Sequence, residues 1–108
     1  MISLDEFRTL DLRVAQVTSA EKIPKTDRLL KVTVDLGDQD RTLVAGLGGH
    51  YTPGQLVGLK VIVVANLEPA TIRGIESNGM MLGAGCTDRD DIALLTVNRG
   101  VPNGTRVE

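Results

Sequence analysis

The strictest constraint in this sequence is the alternation of Leu30, Val32, Val34 and Leu36 with Lys31, Thr33 and Asp35. A period of two places the aliphatic side chains on one face of an extended chain and the polar ones on the other. Residues 30–36 therefore predict a strand with one face in a core and one in water. The stretch Lys60-Val61-Ile62-Val63-Val64-Ala65 shows no alternation and is bounded by Gly58 and Asn66. A continuous β-branched run of this kind predicts a strand buried on both faces.

Three further segments complete a barrel. From Leu12 the pattern is extended, with Leu12 and Val14 on one face and Ala15 and Val17 on the other, which predicts a long strand bulged where the alternation changes phase. A turn at Gly37-Asp38 returns Arg41–Ala45 as the antiparallel partner of the second strand. Met80–Ala84 reads as a fifth strand, with Met80 in the core and Gly79 and Gly83 permitting close approach. Ser3 with Glu6 forms a capping box opening a short helix whose Phe7 and Leu10 lid the core. Thr52 and Pro53 suit the cap and first position of a one-turn helix, ended by Gly58, between strands three and four.

Five strands with a helix between the third and fourth is the order of the OB-fold. The expected fold is all-β: a five-stranded OB-fold barrel with a short amino-terminal helix, a small helix between strands 3 and 4, and a carboxy-terminal extension. A chain of 108 residues suits one domain; the barrel is expected over about residues 10–87 and a dimerisation extension over about 88–108. The apolar run Ile92-Ala93-Leu94-Leu95 falls after the barrel count is complete. It either extends the sheet of its own molecule or meets a second copy. The limited surface of a small barrel favours the second, making Ile92, Leu94 and Leu95 the candidate dimer contacts.

Composition narrows the chemistry. Phe7 and Tyr51 are the only aromatics, so the core is built from Val, Leu, Ile and Ala, and Tyr51 alone could serve as a base-stacking platform. The net charge of -2 argues against a general nucleic-acid coat. Between residues 22 and 31, however, Lys22, Lys25, Arg28 and Lys31 stand against Asp27 alone, a local excess of three positive charges. One face can be basic while the whole chain is not; a solvated charged loop is the alternative.

Signals for enzymatic or metal chemistry are weak. His50 is the sole histidine and has no nucleophile or carboxylate at recognisable spacing, which reads as a surface side chain. Asp88, Asp90 and Asp91 lack the later Gly and Glu of a calcium loop and read as a solvated turn. Gly46, Gly48 and Gly49 are not followed by Lys-Ser or Lys-Thr and read as a flexible turn. The single cysteine, Cys86, has no disulfide partner, which fits a reducing compartment and a structural role. With no signal segment and no apolar run approaching the roughly 20 residues of a membrane span, the chain is expected to be cytoplasmic and free of membrane contact. Catalytic, cofactor and metal residues are expected to be absent.

Asp11-Leu12-Arg13-Val14, then Pro24 and Asp27 before Leu29-Leu30, then Asn66-Leu67-Glu68-Pro69 with Arg73-Gly74-Ile75-Glu76-Ser77-Asn78-Gly79-Met80 form one collinear pattern. It resembles the tRNA-binding-domain family from about Phe7 to the carboxy terminus. That family includes free-standing dimeric tRNA-binding proteins, the carboxy-terminal or beta part of methionyl-tRNA synthetases, related domains of tyrosyl synthetases, and a chaperone-like branch. In members that carry synthetase activity the chemistry lies in other domains, and a chain starting at Met1 is expected to lack them. The resemblance therefore implies binding without catalysis, recognition of the outer shape of folded tRNA, a homodimer built through the carboxy-terminal segment, and a possible methionyl-tRNA synthetase partner.

On the matched positions, Asn66, Arg73 and Ser77 would offer amide, guanidinium and hydroxyl groups to phosphate and ribose oxygens or base edges. Lys22, Lys25, Arg28, Lys31 and Arg41 would supply the electrostatic attraction on the adjoining face. Structural roles compete: Asn66 can cap a strand end, Ser77 can bond turn backbone, and Arg73 can pair with Glu68 or Glu76. With Gly48-Gly49-His50-Tyr51 where relatives often carry charge, binding is expected to be modest and salt-sensitive. A peptide-binding, chaperone-like module is the alternative function.

Overall fold

The computed structural model of the chain describes residues 1–108. In chain order the elements are α1 (Leu4–Phe7), β1 (Leu12–Lys22), β2 (Leu30–Asp35), β3 (Asp40–Ala45), α2 (Pro53–Leu56) and β4 (Lys60–Val64). There follow β5 (Ala70–Ile72), β6 (Ile75–Ser77), β7 (Met80–Met81), β8 (Gly83–Cys86), a 3-10 turn (Thr87–Arg89), β9 (Asp91–Leu94) and β10 (Arg106–Val107). The main sheet is antiparallel in the order β3-β2-β1-β4-β7, with β10 added beside β1. Strands β1, β2, β3, β4 and β7 curl into the expected OB barrel, with α2 between the third and fourth. Both helices open on capping boxes, Ser3 with Glu6 and Thr52 with Gln55.

The barrel interior is aliphatic. Ala15, Val17, Leu30, Val32, Val34, Leu43, Leu56, Val61 and Val63 are buried there in one cluster. A second cluster, Leu12, Val14, Ile62 and Val64, lies on the opposite face of β1 and β4, covered by Phe7, Leu82, Val97, Val101 and Val107. This explains the pattern at the start of β1 differently from the sequence reading. Pairing of β1 with β4 runs without interruption from Leu12↔Val64 to Gln16↔Lys60. Leu12 and Val14 face outward and Ala15 and Val17 inward with no change of phase, because both faces are covered. The register shift of β1 falls later, between Val17 and Ser19 against β2, where the strand bends around the barrel.

The fifth strand also departs from expectation. Met80 and Met81 pair with Val64 and Val63, after which the chain leaves the barrel and Gly83–Cys86 pairs with Asp91–Leu94 in a separate hairpin. Met81 shares the inward face with Val63 and packs on the core, whereas Met80 points out and is 50% exposed. The run beginning at Ile92 thus pairs within its own molecule, in that hairpin, and Ile92 and Leu94 spend part of their surface on the barrel core while Leu95 remains exposed.

The carboxy-terminal segment is stitched to the barrel. Gly104 N donates to Val14 O at 2.7 Å, and Val14 N donates in turn to Thr105 O at 2.8 Å. Lys60 Nζ donates to Val101 O at 3.0 Å and to the Asn103 side chain, whose Nδ2 donates to Asp35 Oδ2 at 3.2 Å. Gly104 adopts φ +88°, and a Cβ there would collide with the Leu36 carbonyl oxygen. Gly104→Ala is expected to destabilise the fold by about 2 kcal/mol. Gly54→Ala, at an open helical position, is expected to be neutral or stabilising by up to about 1 kcal/mol. Urea unfolding midpoints at constant m-value check both.

Candidate nucleic-acid interface

Alternation on β2 turns Leu30, Val32 and Val34 inward and leaves Lys31 and Thr33 on the outside of the barrel. In the antiparallel register Lys31 stands beside Val44 and Thr33 beside Thr42, so β2 and β3 share an outer face. OB barrels use this face for nucleic acid, framed by the loop between the first two strands and the one between the fourth and fifth. Here the frames are residues 23–29 and the excursion 66–79.

The excursion contains an element not anticipated from the sequence. Strands β5 and β6 form a hairpin with Ile72 opposite Ile75, leaving Arg73-Gly74 as a two-residue turn. Both turn residues have positive φ, +52° and +79°, as a type I′ turn requires. Arginine is a poor choice for that conformation, where Asn, Asp or Gly costs less. The turn nevertheless thrusts its guanidinium into solvent. The ion pairs of the molecule use Arg13, Arg28, Lys31 and His50; neither Glu68 nor Glu76 engages Arg73.

Between hairpin and barrel runs an open groove of about 460 Å³, lined by Lys31, Asp40, Arg41, Thr42, Glu76 and Asn78 among others. Lys31 marks its edge, with its ammonium 3.7 Å from the Glu21 carboxylate. In the other frame, Lys22, Lys25 and Arg28 are exposed, and Lys25 also has positive φ, +65°. This loop is held from below by the buried Ile23, whose N–H donates to Leu29 O, and by Gly48 N donating to Arg28 O at 2.7 Å. A side chain at residue 48 would press on the Arg28 backbone, so glycine there serves close approach. Arg28 reaches Asp90 at 3.7 Å, both largely exposed, a weak pairing that leaves the guanidinium accessible.

Three expected contact residues are instead built into the frame. Asn66 uses both ends of its amide: Oδ1 accepts from Asp11 N at 2.9 Å and Nδ2 donates to Thr9 O at 2.8 Å. Ser77 is buried and its Oγ accepts from Val44 N at 2.9 Å, fastening the hairpin to β3. Arg41 stands opposite the inward-facing Val34 and its guanidinium donates to Ala65 O, Asn78 O and Gln39 Oε1. Nearby, Asp11 is held below the usual carboxylate range, chiefly by the hydrogen bond from Arg13 at 2.8 Å; burial opposes this, and the charges of Arg13, Arg106 and Arg41 add to it. Tyr51 is no open stacking platform either, because it packs half-buried on the core and its hydroxyl accepts from Leu94 N at 3.2 Å. Of the groove residues, Thr42 escaped the sequence reading, its only signal being the outward phase of β3, while Glu76 and Asn78 stood in the family motif without a binding role.

His50 is more enclosed than a free surface histidine, with its side chain 16% exposed and Nδ1 3.9 Å from Asp91. A second cleft, apolar and of about 260 Å³, opens at the barrel seam between Leu43, Leu47, Met81, Ile92 and Leu94.

Framework and contact residues should separate by experiment. Ser77→Ala leaves the part-buried Val44 N–H without its partner and is expected to cost about 1–2 kcal/mol of stability, whereas Asn66→Ala frees two exposed backbone groups and is expected to cost about 0.5–1 kcal/mol. Arg73→Asn, which relaxes the turn, is expected to leave stability unchanged or raise it by about 0.5 kcal/mol. Thermal and urea unfolding of the three variants checks the contrast.

Residues 12–106 match the family described as "Putative tRNA binding domain". The chain is 51% identical over 107 residues to the methionine--tRNA ligase of Methanosphaerula palustris, covering 99% of this chain and 16% of that protein. It thus spans about one-sixth of the curated relatives it matches. Among solved structures, the MetRS related protein of Pyrococcus horikoshii superposes with TM-score 0.94 at 39% identity, covering 100% of this chain and 98% of that one. The chaperone CsaA of Bacillus anthracis superposes with TM-score 0.88 at 32% identity, covering 100% and 99%. A family match across nearly the whole barrel, on a fold whose outer face is framed by the basic 23–29 loop and the Arg73 hairpin, makes the chain a member of the non-catalytic tRNA-binding-domain family.

Proposed function

We propose that the protein grips the phosphodiester backbone of folded tRNA on the outer face of β2 and β3, between the 23–29 loop and the β5–β6 hairpin. Arg73 carries this reading. A solvent-facing guanidinium, without an ion-pair partner, stands on a two-residue turn whose backbone disfavours arginine. Strain of that kind persists where the side chain is needed. Lys22, Lys25, Arg28 and Lys31 add diffuse attraction, while the nearby carboxylates of Glu21, Asp40 and Glu76 discourage indiscriminate polyanion binding. Asn66, Ser77 and Arg41 act through the framework. With no aromatic platform on this face, recognition goes to backbone shape and not to stacked bases.

The protein acts in the cytoplasm as a homodimer joined through its carboxy-terminal segment, in the service of a methionyl-tRNA synthetase. Support for the dimer comes from the outer cluster, whose covering residues Phe7, Leu82, Val97, Val101 and Val107 are only half-buried, with Leu4, Leu10 and Leu95 exposed. Two linked sites would raise the effective concentration for one tRNA. The seam cleft favours a second reading, capture of an extended apolar peptide, which suits the likeness to a chaperone.

A titration of total tRNA, duplex DNA and an unfolded peptide at two salt concentrations tests the first reading. Selective tRNA binding is expected, weakened about tenfold by Arg73→Ala, with the slope of log K against log salt falling by about 0.7–0.9 for one lost phosphate contact. Peptide binding without tRNA preference would overturn it. Sedimentation equilibrium is expected to return twice the 11.5 kDa chain mass, and Leu95→Glu to shift it toward the monomer.

A further inference from the structure

Every link between the 66–79 excursion and the barrel runs through its neck. Asn78 N donates to Thr42 O at 2.8 Å and Ser77 Oγ accepts from Val44 N, so β3 holds the returning limb. The two limbs meet at one atom. Arg41 Nη1 donates to Ala65 O at 2.9 Å, on the residue where the excursion leaves β4, and to Asn78 O at 3.3 Å, just before it rejoins the sheet at β7. Arg41 Nε is meanwhile held by Gln39 Oε1 at 3.0 Å, which fixes the plane of the guanidinium. Inward phase on β3, opposite Val34, brings this head to the end of the barrel, where it also borders the groove between hairpin and barrel.

We infer that Arg41 is a positioning residue for tRNA binding: it cinches the neck of the excursion and so sets where the hairpin carries Arg73. This rests on the reading of the hairpin as part of the tRNA site. The ladder of the hairpin joins only β5 to β6, so its orientation relative to β2 and β3 comes from the bonds of Ser77 and Asn78 to β3 and from the Arg41 clamp. Its direction is inherited from the neck, and a small rotation there is magnified at the tip. The planar head holds Gln39 Oε1 from Nε and the two carbonyls from Nη1, donors on separate nitrogens at a fixed spacing; an ammonium has three donors but on one nitrogen at the end of a flexible stem, so it carries the same charge without that geometry. Charge and clamp are therefore separable at this position.

The experiment compares Arg41→Lys, Arg73→Ala and the double variant with the unaltered full chain, by tRNA titration and by amide hydrogen exchange without RNA. Arg41→Lys keeps the charge and is expected to weaken tRNA binding about tenfold. The double variant is expected to bind no more weakly than Arg73→Ala, because a misplaced Arg73 and a missing one are equivalent. Exchange is expected to quicken within residues 66–79 and not in β1, β2 and β4. Three outcomes overturn the proposal: tRNA binding by Arg41→Lys equal to that of the unaltered protein, losses that multiply in the double variant, or faster exchange across all strands. If Arg73→Ala binds tRNA as the unaltered chain does, the reading of the hairpin as a tRNA contact fails and the proposal falls with it. The exchange pattern, measured without RNA, still separates that failure from failure of the clamp itself.

Discussion

Burial of β1 and β4 from both sides is the constraint on which the rest of the molecule depends. Their inner face closes over Ala15, Val17, Val61 and Val63, and their outer face carries Leu12, Val14, Ile62 and Val64. A closed small barrel can satisfy only the inner set. The outer set must be covered by whatever else the chain owns, which here is α1 and the segment running from Leu82 through Val97 and Val101 to Val107. That demand explains why the chain continues after its fifth barrel strand and why its end returns to pair with β1.

The same economy divides the polar residues of the proposed tRNA face into two kinds. Side chains near the neck of the excursion are consumed by backbone groups that the irregular chain leaves unpaired: Asn66 by Asp11 and Thr9, Ser77 by Val44, Arg41 by Ala65 and Asn78. A polar group buried without a partner costs more than a surface contact returns, so these bonds take precedence over ligand contacts. Side chains at the tips of loops, Lys25 and Arg73, have no such obligation and remain in solvent. A motif that names both kinds in one string therefore mixes scaffold with surface.

Legibility followed the strength of local periodicity. The alternation at 30–36 located β2, the apolar run at 60–65 located β4, and the Ser3–Glu6 capping box and the Thr52-Pro53 cap located the two helices, because each is settled by neighbours a few residues apart. The β5–β6 hairpin was missed because its turn is Arg73-Gly74 in place of the Asn-Gly or Asp-Gly that announces a type I′ turn. The break of the fifth strand at Leu82 left no local mark at all. Among the candidate binding residues, the exposure of Lys25, Arg28 and Arg73 followed from their loop positions and that of Lys22 from the end of β1. The inward turn of Arg41 depended on its register with Val34, a relation between strands.

By itself, the sequence determined an aliphatic five-stranded barrel with a helix before its fourth strand, and a motif specific enough to mark the family, since alternation, caps and collinear residues are properties of the chain alone. Tertiary structure decided which face each motif residue occupies, that the run at Ile92 folds back on its own molecule, and that Arg41, Asn66 and Ser77 serve the frame. The physical reason is that these outcomes depend on which backbone groups are left unpaired when distant segments meet. No local pattern records that.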